Sequence, residues 1–224
     1  MRKIKVFNLI MSLLILMGGI AFLVASRINF AIKPVYVKSV ASALFVFTGL
    51  VNLIYVLKHR TFNKKFAICL FIGLIFAFLG DVLLEIVFIV GAALFALGHV
   101  FFFISYCFLA KFNWKDLLLA ALIFIPSLLI ILFVPIFKFQ GIFKIVCIVY
   151  ALVISFMVGK SLGNYLRVKT KGNLIVLIGS FLFFFSDMML LFSIFGGIRL
   201  CNIFCLLTYY PAEFFLAYSI LKNK

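Results

Sequence analysis

The feature that most limits what this chain can become is a series of apolar runs, each about 20 residues long, with little between them. A helix rises about 1.5 Å per residue, so roughly 20 apolar residues cross the hydrocarbon of a bilayer. Eight such runs can be cut, at about 6–25, 34–57, 66–85, 89–110, 116–137, 142–163, 173–194 and 200–221. The connections are too short for a soluble domain. With 68% of its 224 residues hydrophobic, the chain has more apolar surface than a soluble interior of this size can hide. The fold expected is therefore all-α: one integral membrane domain over 1–224, a bundle of eight transmembrane helices. The first run follows Met1-Arg2-Lys3-Ile4-Lys5 and imitates a signal peptide. It is longer than a usual signal core and reads as a retained helix.

Charge gives the orientation. With eight spans both termini share a side. Fourteen of the 21 Lys and Arg residues fall on that side and four on the other. Positive residues favour the cytoplasmic face, which predicts cytoplasmic N and C termini in a cell membrane, the inner membrane of a bacterium. The net charge of +16 does not point to nucleic acid, because no basic stretch with interleaved aromatics lies outside the spans. The five cysteines lie in or beside apolar runs, form no CxxC and read as small buried hydrophobes.

Against this background the acids stand out. There are five: Asp81, Glu85, Asp116, Asp187 and Glu213. Asp116 reads as part of a polar turn. The others lie within or at the edge of apolar runs, where a carboxylate costs several kcal/mol and persists only with a partner, a wet cavity or a task. Asp81 and Asp187 each sit about 15 residues, or about 22 Å, beyond the cytoplasmic start of their span. They are expected to meet across an internal cavity. A faint echo links them: Ile72-Gly73, Phe78, Asp81 and Leu84 recur as Ile178-Gly179, Phe184, Asp187 and Leu190. Spans three and seven run the same way, so a 4+4 parallel pseudo-repeat is in view, with chance similarity as its rival.

Spans four and eight bring further polar groups to a similar depth. These are Gly98-His99 near the midplane, then Thr208-Tyr209-Tyr210-Pro211-Ala212-Glu213. Pro211 removes a backbone donor and loosens the helix, a frequent device beside membrane cavities. Glu85 is expected to reach the outer interface and support the site from there. On that side Lys33, Lys38 and Arg199 are candidates for a lipid phosphate, with snorkelling as the plainer reading. No GxSxG, HExxH or Walker loop is present, and two histidines, His59 and His99, cannot make a three-histidine metal site.

Gly80-Asp81-Val82-Leu83-Leu84, then Gly91-Ala92-Ala93-Leu94-Phe95-Ala96-Leu97-Gly98-His99, then Ser186-Asp187, then Thr208-Tyr209-Tyr210 carry a resemblance. In this order, and with Lys33-Pro34 ahead of them, they resemble the YhhN-like lysoplasmalogenase family over nearly the whole chain. The resemblance implies an eight-helix membrane hydrolase that cleaves the vinyl ether bond of lysoplasmalogens to a fatty aldehyde and glycerophosphoethanolamine or glycerophosphocholine. It implies Asp81 and Asp187 as catalytic, with His99 and Tyr209 or Tyr210 lining the site. Glu213 departs from the pattern, since an amide is expected there in many relatives. Vinyl ether hydrolysis calls for a proton donor, a base for water and negative charge near an oxocarbenium ion. Two carboxyls in different protonation states supply these without a cofactor or metal. The partners expected are a lysophospholipid substrate and the membrane itself. The alternative is a proton-coupled lipid or small-molecule transporter that uses the same acids as a relay. A non-catalytic scaffold leaves the acids without a purpose.

Overall fold

The computed structural model describes residues 2–25, 34–59 and 61–223. Among them the regular structure is entirely helical: α1 (Arg2–Ala25), α2 (Pro34–Lys58), α3 (Lys64–Leu84), α4 (Phe88–Cys107), α5 (Trp114–Phe133), α6 (Phe143–Arg167), α7 (Lys171–Ile194) and α8 (Arg199–Ser219). All eight are long and apolar enough to cross a membrane. The chain is thus an eight-helix multi-pass membrane protein. Two boundaries differ from the apolar runs for local reasons. α5 stops at Phe133 because Pro135 holds Val134 in an extended conformation. α6 runs on to Arg167 because polar side chains in its last turns have partners: Asn164 donates to the carbonyl of Tyr106, and Arg167 pairs with Asp116.

α2, α3, α4, α6, α7 and α8 pack in that order as a ring, closed by α8 against α2. α1 lies outside it against α2 and α8, and α5 lies outside it against α6. The halves correspond, since α4 packs on α6 as α8 packs on α2, the arrangement a 4+4 repeat would give. Small residues set the closest approach. At the α3–α4 crossing a Cβ on Gly73 would lie 2.5 Å from the ring of Phe102, and one on Gly98 would lie 3.2 Å from the carbonyl oxygen of Gly73. α1 is tied down by reciprocal amide bonds between Asn8 and Asn52, both at 2.9 Å, and Asn52 also donates to the carbonyl of Ala217 on α8.

The two ends of the bundle are built differently. On the side where α1 begins and α8 ends, helices start with side-chain caps. Asn63 accepts from the N–H of Phe66, Thr170 from that of Asn173, and Asn113 forms a capping box with Asp116. Asp116 corrects the expectation of a polar turn: it sits in the first turn of α5, fully buried. Its Oδ2 lies 3.0 Å from Nζ of Lys160, its Oδ1 lies 2.8 Å from Nη1 of Arg167, and Lys160 also donates to the carbonyl of Lys111. On the opposite side α4, α6 and α8 follow Val87, Ile142 and Ile198, none of which offers a side-chain cap. That uncapped end holds the cavity.

Candidate active site

Asp81 and Asp187 line one cavity of about 400 Å³ inside the ring. It is walled by α2, α3, α4, α7 and α8, with Phe22 of α1 at its edge. The acids enter it in different company.

Asp81 is buried, 2% exposed. No base lies near it in sequence, and the partner comes from the preceding helix. Lys38 of α2 places Nζ 3.3 Å from Oδ1 of Asp81 and 3.0 Å from Oε1 of Glu85. One ammonium spans both carboxylates because residues four apart share a helix face. Ser42, one turn beyond Lys38, donates a short hydrogen bond to Oδ2 of Asp81. From α8, the buried Tyr209 brings its hydroxyl close to Asp81.

Asp187 is somewhat more open, its side chain 14% exposed. Tyr150 of α6 donates to its Oδ2 at 2.7 Å. His99 of α4, fully buried, places Nε2 3.3 Å from the same oxygen and 2.8 Å from the Tyr150 hydroxyl. The His99 ring stands edge-on to Phe183 at 4.6 Å. Phe183 in turn meets Phe95 and Tyr209, and this aromatic cluster backs the wall between the acids. Nearby, Ser186 ties α7 to α8 by donating to the carbonyl of Cys205.

The two surroundings match in topology and differ in chemistry. Each aspartate stands on the third helix of its half. Each is faced by a residue from the second helix of that half and by one from the last helix of the other half. For Asp81 these are Lys38 with Ser42, and Tyr209; for Asp187 they are Tyr150 and His99. One acid faces an ammonium, the other a phenol and an imidazole.

Asp187 also borders a second space. An apolar slot between α4, α6 and α7 meets the polar cavity at Leu84, Phe88, Phe95, Leu190, Ile194 and Asp187. Its wall is almost wholly hydrocarbon and aromatic, with Tyr150 beside Asp187. A single-chain amphiphile with its head in the cavity and its tail in the slot would pass Asp187 at the junction.

The other predicted residues fall as follows. Glu85 lines the cavity, and its half-exposed side chain is held by Lys38 instead of merely ending a helix. Lys38 lines it too, engaged by two acids, so it is not a free cation awaiting a phosphate. His99 stands behind Asp187. Tyr210 is turned away, its ring against Gly19 of α1, and it does not line the cavity. Glu213 is buried one turn below Tyr209, outside the cavity lining, with neither carboxyl oxygen hydrogen-bonded among the described residues. Arg199 is exposed at the start of α8, away from the lining. Lys33 lies outside the described residues. No group of three His, Cys, Asp or Glu side chains suited to a metal occurs among the described residues. Sequence reasoning missed Ser42 and Tyr150. Ser42 is four residues from Lys38 and so on its face; Tyr150 is a lone hydroxyl in an apolar stretch of α6.

A model of the YhhN family matches residues 40–220, most of the chain. No curated protein and no solved structure matches it.

Proposed function

The chain belongs to the YhhN family, and from that premise we propose that it hydrolyses the vinyl ether bond of lysoplasmalogen-type lysophospholipids. The observation that carries this reading is the position of Asp187, where a polar cavity meets an apolar slot. In such a lipid the vinyl ether is the junction between the glycerophosphate head and the hydrocarbon tail.

The same geometry divides the chemistry. The alkenyl carbon on the tail side takes the first proton, and Asp187, at the slot, is the donor within reach of it. The resulting oxocarbenium carbon is bonded to the ether oxygen and so lies toward the cavity. Water attacks there, and Asp81, on the cavity side, accepts its proton. The hemiacetal then collapses. Asp81 returns a proton to the departing glycerol oxygen, the hemiacetal hydroxyl gives its proton to Asp187, and both acids end as they began. General acid and general base share the work as in glycosidases, which pass through a similar cation.

The test is aldehyde release from a purified lysoplasmalogen in detergent, where no gradient exists to drive transport. Wild type should release aldehyde. Asp81→Asn and Asp187→Asn should each lose at least about 100-fold in rate, the usual scale of one acid–base group, while the helical fold survives. Full activity in either variant, or none in wild type, defeats the reading.

A further inference from the structure

We infer that Tyr150 is a positioning residue: together with His99 it turns Asp187 so that Oδ1 carries the transferable proton toward the reacting bond. The inference rests on the ether-hydrolase reading above. Tyr150 donates to Oδ2 of Asp187 at 2.7 Å, and Nε2 of His99 approaches the same oxygen at 3.3 Å. Both partners serve one carboxyl oxygen. Among the described residues no hydrogen bond to Oδ1 is found, and Asp187 lines the cavity.

The direction of these bonds follows from the other nitrogen of the imidazole. Nδ1 of His99 is buried and has no partner. A stranded N–H is a rarer feature of folded proteins than an under-used acceptor, so the ring proton belongs on Nε2. Nε2–H then donates to the phenol oxygen 2.8 Å away, and the phenol keeps its own proton for Asp187. The opposite tautomer would take the phenol proton away from Asp187 and leave Nδ1–H unsatisfied. Donation thus runs from His99 to Tyr150 to Oδ2. A carboxyl whose Oδ2 accepts from Tyr150 bears its proton on Oδ1, the orientation that protonation of an alkenyl carbon requires.

The experiment compares wild type, Tyr150→Phe and a protein carrying 3-fluorotyrosine at position 150 in the detergent aldehyde assay, with kcat and KM measured separately. Tyr150→Phe should lower kcat by roughly 2- to 10-fold, the worth of one hydrogen bond to a neutral carboxyl group. KM should stay within about twofold and the thermal midpoint should hold, since Phe preserves the ring contact with His99. Fluorination keeps the ring and the hydrogen bond but makes the hydroxyl more acidic, so kcat should change while KM does not. Should Tyr150→Phe fail to fold, the fluorinated protein decides alone. An unchanged kcat, or a raised KM with kcat intact, overturns the role of Tyr150 and leaves the hydrolase reading standing. A wild-type protein that releases no aldehyde removes both.

Discussion

Two buried carboxylate clusters occupy opposite ends of this bundle, and they are built to opposite rules. Near the chain termini Asp116 has a cation against each oxygen, caps its own helix and lines neither the cavity nor the slot. At the other end Asp81 and Glu85 share one lysine, Asp187 meets Tyr150 and His99, and all three open onto about 400 Å³ of space. The first arrangement neutralises charge and joins α5 to α6. The second leaves carboxyl oxygens facing a space where a substrate can meet them. Burial alone therefore does not mark a functional acid in a membrane protein. What sets the acids of the proposed site apart from Asp116 is the cavity they line.

Mutation can break or sharpen this contrast. The largest effects should come from the matched amides. Asp81→Asn and Asp187→Asn should abolish aldehyde release with little change in thermal midpoint. Asp116→Asn should do the reverse, because it strands Lys160 in the interior at a cost of about 3–5 kcal/mol. Thermal unfolding in detergent, run beside the aldehyde assay, would show the crossing. If Asp116→Asn lowers activity at unchanged stability, the two clusters are not distinct in kind. An intermediate effect is expected for Lys38→Met, which frees both carboxylates from their shared ammonium. Activity should fall by about 10-fold or more, through misplacement of Asp81, as removal of a charge-assisted hydrogen bond would cause. The smallest effect should come from Glu85→Gln. That side chain is 44% exposed, where ion pairs contribute only about 0–1 kcal/mol, so kcat should stay within about fivefold of wild type. A collapse of activity in Glu85→Gln would promote it from a cavity-mouth residue to a member of the reacting set.

Much of this was readable in the order of residues. Apolar runs mark the spans because bilayer thickness dictates their length, and Asp81 and Asp187 are conspicuous because only Glu85, at the end of the first of their runs, is also charged. The partners were not readable. Lipid is as apolar as the protein interior, so a membrane helix need not have a polar face, and its rotation about its own axis leaves a weak trace in the sequence. Lys38 thus reads as a headgroup ligand when it turns inward to two acids. Tyr150 reads as one aromatic among many, and nothing in the sequence pairs Lys160 with Asp116. The rotations of α2 against α3, of α6 against α5 and α7, and of α4 against α6 decide these, and the pairing of α8 with α2 joins residues up to 165 positions apart, as in the bond from Asn52 to Ala217.

That exchange of final helices between the halves has a consequence for how such a protein could arise or be divided. Split between α4 and α5, the chain yields two four-helix pieces, and each keeps one cavity aspartate while holding a residue that the other piece's cavity aspartate faces. Neither fragment is a smaller version of the whole. If a shorter ancestor existed, it had something to complete only once a second copy stood beside it.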